Sequence, residues 1–270
     1  MNSGVGEIGW IELVCATLFM VAAAIISWKL ELGQGKRIAV STLRCFLQLL
    51  ACGFCLAYLF ELQTWWLVAI VLVCMVAAAT QIALGRVKST VPGLAAPVFA
   101  SIALSSLAAV ALITQGVIHA DPWYNARELI PIAGMVVGNA MSSIAVAADR
   151  LFSGMDARED EMFSLIALGA TPREAAFSSI KASIAAGMTP TLATMSAAGI
   201  VSIPGMMTGQ ILAGADPLGA AKYQIVILMA ITAANTAAIM LACLLIYKKR
   251  FAENGYYLDR GLRETESERN

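Results

Sequence analysis

The sequence predicts an all-α integral membrane protein with seven transmembrane helices, its N-terminus outside and its C-terminus in the cytoplasm. Composition is the first observation: of 270 residues, 59% are hydrophobic and only 13% are charged. Soluble domains carry roughly 25% charged residues. So little charge cannot cover a water-soluble globule, but it suffices where lipid replaces water around most of the perimeter. The net charge of zero gives no indication of nucleic-acid binding.

Seven long apolar runs are the second observation. A helix needs roughly 20 apolar residues to cross about 30 Å of hydrocarbon, and each run is close to that length or longer. The runs are too continuous for the alternating strands of a barrel, so helices are the remaining structure that can span a bilayer. The predicted spans are about 8–28, 38–60, 64–84, 94–118, 129–150, 182–202 and 223–247.

The distribution of positive charge predicts the orientation. With the N-terminus outside, 15 of the 18 Lys and Arg residues fall on the cytoplasmic side. Only Arg127 and Lys222 fall outside, and Arg44 lies within a span. Positive charge follows the first apolar run and does not precede it, which favours a retained helix over a signal peptide. Residues 1–250 are predicted to form one transmembrane domain and 251–270 a mobile cytoplasmic tail.

The cytoplasmic connection 151–181 is too regular for a simple loop. Acidic residues ending at Glu161 precede an amphipathic stripe, which suits the start of a helix. Gly169 and Ala170 then stop that helix, and Thr171 and Pro172 have the types of an N-cap and a first-turn residue. We therefore expect a helix–turn–helix near the membrane surface.

The outer stretch 203–222 is apolar and rich in glycine, and it is interrupted by Pro204 and Pro217. It is too short to span and too apolar for a solvated loop. Two interpretations stay open: a re-entrant segment that lines a cavity, and an interfacial helix that caps the bundle. Met206 and Met207 are typical of adaptable packing, and thioether ligation of a soft metal is the weaker alternative. Pro204, Met206, Met207 and the amide residue Gln210 are the candidates that this segment contributes to a translocation pathway.

Few polar residues lie within the spans, which makes each a candidate for a translocation pathway. Arg44 and Gln48 lie one turn apart on one face of the second helix. They either face the bundle interior or, in the case of Arg44, reach back to the membrane surface. The remaining candidates are Asn139 and Ser143 on the fifth helix and Asn235 on the seventh.

Several absences argue against an enzyme. The chain has no phosphate-binding loop and no HExxH motif, and its one histidine, His119, lies outside the centre of any span. Cys52 and Cys55 have CxxC spacing, but they lie within an apolar helix without a second ligand pair. We therefore predict no catalytic residue, no metal site and no cofactor bound by this chain.

Four stretches resemble the FetB-type (YbbM-like) family of ABC-transporter permeases. They are Arg44-x-x-x-Gln48-Leu49, PIAGMVVGNAM at 131–141, ALGATPREA at 167–175, and VSIPGMMTGQILAGADP at 201–217 continuing to KYQI at 222–225. The resemblance implies the transmembrane subunit of an ABC exporter that works with a separate ATPase subunit, which would use the ATP. It further implies that the turn 169–173, including Arg173, docks in the ATPase, with Glu161 as a further coupling residue.

The resemblance also leaves questions open. Bacterial relatives are associated with iron export and a plant relative with UDP-glucose, while the sequence lacks the acidic or histidine-rich set that iron would prefer. Seven helices with one coupling turn make half of a transporter, so a permease homodimer in the cytoplasmic (inner) membrane is expected. The alternative is a secondary transporter driven by an ion gradient, which would need intramembrane carboxylates or an inverted repeat.

Overall fold

In the computed structural model, the described residues are 9–31, 33–62, 64–87, 91–252 and 255–258. Every regular element among them is helical. The helices within these ranges are α1 (Trp10–Lys29), α2 (Gly35–Leu62), α3 (Trp65–Leu84), α4 (Ala95–Ala111), α5 (Ala126–Asp156), α6 (Glu159–Ala167), α7 (Pro172–Ala197), α8 (Gly205–Leu212) and α9 (Pro217–Ile246). A π-helical segment, Leu112–Ile118, continues α4, and a 3-10 turn, Tyr247–Arg250, continues α9.

The long helix α5 is the centre of the bundle. It packs against α3, α4, α7 and α9, and about half of its residues are buried. Helices α1 and α2 pack mainly against each other. They reach the bundle near the end of α2, where Leu59 is buried and the Arg127 guanidinium lies 5.7 Å from the centre of the Phe60 ring. The N-terminal hairpin is therefore peripheral, and α5 positions the remaining helices.

Small residues set how closely these helices approach. Ala140, Ala147 and Ala148 of α5 and Ala238 of α9 are almost completely buried. In a bilayer, lipid tails are as apolar as leucine, so helix association depends on close packing of small side chains more than on apolar burial. This explains why small residues, mainly Ala and Ser, recur among the buried residues of α5 and α7, and Ala among those of α9, beside larger apolar side chains.

The predicted spans coincide with helices of the structure, whose bounds differ from those of the spans. The spans predicted at 129–150 and 223–247 are parts of Ala126–Asp156 and Pro217–Ile246. The span predicted at 182–202 starts at Pro172 and ends at Ala197. Apolar runs mark the stretch inside lipid, whereas a helix continues until its caps, which explains the differences. The connection 151–181 is thus divided among α5, α6 and α7.

Within the described residues, six helices are long and apolar enough to cross a membrane: α1, α2, α3, α4 with its π segment, α5 and α9. Helix α7 is not among them, because the polar residues that begin it and the Ser and Thr residues along it lower its hydropathy. The chain is an all-helical integral membrane protein. The seventh span and the orientation remain predictions.

The predicted mobile tail was wrong in its first part. Phe251 and Tyr257 are buried and face each other in an isolated antiparallel bridge. Their aromatic rings give this stretch enough apolar surface to pack on the bundle, which a charged tail would lack. Residues 259–270 of the predicted tail lie outside the described residues.

Candidate functional site

One end of the bundle gathers many of the basic residues. The end of α5, the whole of α6, the start of α7 and the end of α9 meet there, and Arg250 pairs with Asp156 across the ends of α9 and α5. Lys249 lies against Gly93, just before α4. We call this the basic end. The turn between α6 and α7 projects from it.

The turn from Leu168 to Thr171 is fixed by backbone hydrogen bonds. Gly169 has φ of +93°, a conformation that side chains with a Cβ rarely adopt. The Ala170 amide donates to the Leu165 carbonyl at 2.9 Å, and the Gly169 amide donates to the Ile166 carbonyl at 2.9 Å. This is a Schellman motif, which satisfies the last carbonyl groups of α6. The predicted helix stop at Gly169 and Ala170 is confirmed.

Helix α7 begins with a capping box on the other side of the turn. The Glu174 amide donates to Thr171 Oγ1 at 3.3 Å, and the Thr171 amide donates to Glu174 Oε2 at 2.8 Å. Pro172 occupies the first turn, where its missing N–H leaves no bond unmade. The bond from the Thr171 amide, and then that from its hydroxyl, lower the pKa of Glu174. Both helix ends at this turn are therefore capped.

The capping box gives a first prediction. Thr171→Ala should weaken the start of α7 by about 1 kcal/mol, because two hydrogen bonds of its side chain are lost. Backbone amides at 173–176 should then exchange with solvent roughly fivefold faster in hydrogen-exchange mass spectrometry. The matched control is Thr189→Ala in the same helix, since that hydroxyl only bonds the Ala185 carbonyl of its own helix. Equal exchange in both variants would contradict this role.

The same box should respond to pH. Because the pKa of folded Glu174 is lowered, its contribution is complete above the ordinary glutamate pKa and is lost as pH falls through the lowered value. Protection of the 173–176 amides should therefore be constant near neutral pH and fall in acid. Exchange measured against pH in wild type and in Glu174→Gln tests this, after correction for the intrinsic pH dependence of exchange. A fall of the same size in Glu174→Gln would contradict the prediction.

The tip of the turn presents an apolar and basic surface to solvent. Leu168 is 85% exposed, and Gly169, Thr171 and Arg173 are exposed beside it. A large apolar side chain with this exposure, outside the spans and next to a cation, is typical of a contact surface for another protein. The sequence interpretation did not include Leu168 among the coupling residues, because its exposure depends on where α6 ends.

Glu161 has a local role in the structure. Its carboxylate accepts a hydrogen bond of 2.6 Å from Arg158 Nε and a second bond from Arg158 Nη2. The hydrogen bonds with Arg158 lower the pKa of Glu161. Both residues lie at the start of α6, where a carboxylate also favours the positive end of the helix. Glu161 thus makes a local contact at the start of α6, and its role in coupling to the ATPase stays a prediction.

A cluster of polar side chains lies in the interior where α5, α7 and α9 meet. Asn235 Nδ2 donates to Thr191 Oγ1 at 2.9 Å, and Ser143 Oγ lies 3.4 Å from the same oxygen. All three residues are buried. The structure therefore brings two predicted pathway residues, Ser143 and Asn235, together through Thr191, which the sequence interpretation did not include.

The carboxamide of Asn235 is only half satisfied. Its Oδ1 is buried and has no hydrogen-bond partner among the described residues. Exchanging the amide oxygen and nitrogen would leave the nitrogen unpartnered instead, so one polar atom is unpaired in either orientation. An unpaired buried group costs about 1–3 kcal/mol. The cluster is thus a place where a donor from water, from a solute or from another conformation would be stabilising.

Helix packing is tightest one turn from this cluster. A Cβ atom on Gly187 of α7 would come within 2.9 Å of Ala147 Cβ and 3.0 Å of the Ser143 carbonyl oxygen. It would also meet Ile239 Cδ1 of α9 at 3.2 Å. Contacts below 3.0 Å require atoms to move. Gly187 therefore lets three helices cross closely enough for the polar side chains to meet.

Removing the Thr191 hydroxyl, which lies at the centre of the polar cluster, gives a further prediction. Thr191→Val keeps the shape of the side chain but leaves Asn235 Nδ2 without its acceptor. We expect a loss of about 0.6–2 kcal/mol, the range for interhelical hydrogen bonds in membranes. Thermal unfolding in detergent measures it, with Thr194→Val as the control because that hydroxyl bonds only the Pro190 carbonyl of its own helix. A larger loss in the control would contradict the role of Thr191.

The other predicted pathway residues within the spans are not gathered at this cluster. Asn139 is exposed, and its Nδ2 donates to the Met135 carbonyl of its own helix at 2.8 Å. Arg44 and Gln48 share a face of α2, as predicted, and are exposed on the peripheral hairpin. The helix on which they lie touches α5 only near its far end, which explains the separation. A pathway role for these three residues stays a prediction.

The segment between α7 and α9 folds back along α9. Pro204 precedes α8 as its N-cap residue, and α8 packs against α9. Met206 contacts the buried cluster to which Ile227 of α9 belongs, while Met207 is half-buried. Gln210 is half-buried too, and its Oε1 has no hydrogen-bond partner among the described residues. The predicted residues of this segment therefore lie beside the N-terminal half of α9.

Helix α7 ends well before it reaches the level of the first residues of α9. The pairs Asn235–Thr191 and Thr232–Met195, whose Oγ1 and Sδ atoms lie 3.6 Å apart, show that α7 and α9 are antiparallel. From Thr191 the helix continues for about 9 Å to Ala197, whereas α9 extends for about 27 Å from Asn235 back to Pro217. Gly199, with φ of +84°, ends α7 in a tight turn. The turn and α8 occupy the level that α7 leaves.

Among the described residues, no group of three or more His, Cys, Asp or Glu residues is placed to hold a metal ion. Five of the six cysteines are exposed on helices, and Cys243 is buried.

Comparisons with known proteins agree with a helical membrane bundle. The family model described as "Uncharacterised protein family (UPF0014)" matches residues 10–251. The chain belongs to the UPF0014 family. It is 33% identical over 252 residues to the UPF0014 membrane protein slr1647 of Synechocystis, covering 92% of this chain and 94% of that protein. No solved structure matches the chain significantly.

Two other UPF0014 relatives carry more informative names. The chain is 32% identical over 240 residues to the "Probable iron export permease protein FetB" of Escherichia coli, covering 88% of this chain and 90% of that protein. It is 29% identical over 245 residues to "Protein ALUMINUM SENSITIVE 3" of Arabidopsis thaliana, covering 91% and 88% respectively. The predicted resemblance to the FetB family is confirmed. With its apolar helices, the chain is a multi-pass protein of the inner membrane.

Proposed function

We propose that the chain is the permease subunit of an ABC exporter, driven by a separate ATPase subunit. The turn Leu168–Arg173 carries this proposal. It is capped on both sides, it projects from the basic end, and it exposes Leu168 and Arg173 together. A rigid protrusion of this kind can enter a groove of a soluble partner and transmit force, whereas a flexible loop could not.

The same geometry supports our proposal of seven spans. Helix α7 runs antiparallel to α5: Ser179 lies beside Gly154, and Thr191 lies beside Ser143. Helix α7 therefore accompanies α5 into the interior of the bundle at least from Ser179 to Thr191. With α7 counted as a span, the basic end is cytoplasmic by the positive-inside rule and the N-terminus is outside. Helices α7 and α8 then form one interrupted span, which favours the re-entrant interpretation of the segment around Met206.

The buried polar cluster is our candidate for the centre of the pathway. Ser143, Thr191 and Asn235 lie where three helices cross. The unpaired Oδ1 of Asn235 would accept a hydrogen bond from a passing solute. Export would proceed by alternating access: closure of two ATPase subunits draws the cytoplasmic ends of two permease copies together. A homodimer is required because one chain provides one docking turn.

For the substrate we propose iron, on the basis of the name of the Escherichia coli relative. The pathway candidates are neutral hydroxyl and carboxamide groups, which suit a chelated metal better than a bare ferric ion. The same neutrality favours the second candidate, a polar organic solute such as a nucleotide sugar. Our alternative of secondary transport has less support, since Glu12 and Asp149 lie towards helix ends.

Flux measurements distinguish these functions. The chain is reconstituted in vesicles with the ABC ATPase encoded nearest to it, and iron chelate or UDP-glucose is supplied on the ATPase side. We expect iron movement that requires ATP and persists when ionophores abolish ion gradients. Movement that stops with the gradients and ignores ATP would replace the exporter with a secondary transporter. ATP-dependent movement of UDP-glucose alone would keep the exporter and change its substrate.

A further inference from the structure

After α9 the chain turns back across the basic end. Residues 250–252 and 255–258 make this return, and we call them the strap. The Ala252 amide donates to the Tyr256 carbonyl at 2.8 Å, and the Leu258 amide donates to the Arg250 carbonyl at 2.9 Å. These bonds hold the two pieces of the strap side by side, as the bridge between Phe251 and Tyr257 also shows.

A buried ion pair anchors the strap to α5. Arg250 is completely buried, and its Nη2 donates to Asp156 Oδ2 at 3.0 Å, at the last residue of α5. The guanidinium also lies 5.0 Å from the centre of the Phe152 ring. Breaking a buried pair leaves an uncompensated charge, so this contact resists separation once formed. The strap is thus joined firmly to the central helix.

Aromatic contacts join the strap to the helices on both sides of the turn. Tyr257 is 1% exposed, and its ring meets Phe163 of α6 edge-on at 5.7 Å between centroids. The same ring packs edge-on against Phe251 at 5.5 Å. At Gly255 a Cβ atom would lie 3.7 Å from Cγ of Pro172, the first residue of α7. One short segment therefore touches α5, α6 and α7.

Helix α6 is attached to the bundle along one side. Met162 is its only buried residue, Leu165 and Ile166 pack partly against the same core, and its contacts with α5 are few. A force applied at Leu168 would bend such a helix away from the bundle unless something tied it down. The aromatic contact of Phe163 with Tyr257 provides that attachment.

We propose that the strap is a clamp that makes α6 and the start of α7 move as one body with α5 and α9, and that Tyr257 is its positioning residue. This proposal rests on the proposed function only in the task it gives the clamp, which is to carry ATPase-driven movement of the turn into the bundle. The attachment itself is a property of this chain alone and can be tested without the ATPase.

The first experiment uses the full chain in lipid nanodiscs and compares neighbouring tyrosines. Tyr256 is 65% exposed and Tyr257 is buried, so Tyr256→Ala is a matched control for Tyr257→Ala. Amides of residues 162–176 should exchange at least about tenfold faster in Tyr257→Ala and at the wild-type rate in Tyr256→Ala. Tyr257→Phe keeps the ring contacts and should restore slow exchange. Equal exchange at 162–176 in all four proteins would overturn the proposal.

The second experiment adds the ABC ATPase and measures its stimulation by each variant. Stimulation should fall at least about fivefold in Tyr257→Ala and stay at the wild-type level in Tyr256→Ala and Tyr257→Phe. Fast exchange with full stimulation in Tyr257→Ala would overturn the role in coupling. If wild type itself does not stimulate the ATPase, the proposed function fails, while the exchange result still decides whether the strap holds α6.

Discussion

Gly169→Ala is expected to remove most stimulation of the ATPase while leaving the helical bundle folded. Gly169 has φ of +93°, and a Cβ atom at this position would have nothing within 4 Å, so the added methyl group meets no neighbour. It instead strains the backbone by about 1–3 kcal/mol in the only turn that joins α6 to α7. The turn would relax to another conformation, and Leu168 and Arg173 would no longer be presented together. We expect at least about a tenfold loss of stimulation.

Gly199→Ala is the matched control for this substitution. Gly199 has φ of +84° and also has nothing within 4 Å, but it lies at the opposite end of α7. It should carry a similar backbone strain and a similar small loss of thermal stability. Stimulation of the ATPase, measured in nanodiscs at saturating ATP, should stay near the wild-type rate. If both glycine variants lose stimulation equally, the effect is one of general stability and the assignment of the turn is wrong.

Gly187→Val is expected to have the largest effect on stability. Even one Cβ atom at this position would lie 2.9 Å from Ala147 Cβ and 3.0 Å from a backbone oxygen, which cannot move aside as a flexible side chain can. The branched valine adds two further methyl groups to the same crossing. Helices α5, α7 and α9 would have to separate, at a cost of about 1–3 kcal/mol or more. The polar contacts of Thr191 would be lost as a consequence.

Thermal unfolding followed by size-exclusion chromatography in detergent measures this loss. Gly138→Val is the control, because Gly138 also lies within a long helix but has nothing within 4 Å of its Cβ position. It should unfold close to the wild-type temperature, since replacing a helical glycine removes flexibility at no packing cost. If Gly187→Val unfolds at the same temperature as the control, the three helices cross with room for the added atoms, which would contradict the close packing at Gly187.

Much of the fold follows from composition and local motifs. Long apolar runs predict the helices, because a bilayer leaves few other structures available. The residues around Gly169 predict the turn, because glycine is preferred at the positive-φ position after a helix and proline in the first turn of the next one. Threonine is among the preferred N-cap residues. These features depend on neighbouring residues, so a single sequence contains them.

Features that depend on distant contacts were not predictable in the same way. Thr191 looks like any threonine of a helix, and only the crossing of α7 with α9 gives it Asn235 as a partner. The tail looked mobile because its composition is charged, yet Phe251 and Tyr257 are buried and the Tyr257 ring packs on Phe163 of the distant helix α6.

The most direct test of the proposed coupling is the rate of ATP hydrolysis by the neighbouring ABC ATPase, measured with and without this permease in nanodiscs. The exposed Arg173 at the tip of the turn supplies the informative variant, Arg173→Glu, and the exposed Lys181 of the same helix supplies the control, Lys181→Glu. We predict that wild type and the Lys181 variant stimulate hydrolysis and that the Arg173 variant does not. An ATPase whose rate is the same with and without the wild-type chain would contradict the proposed function.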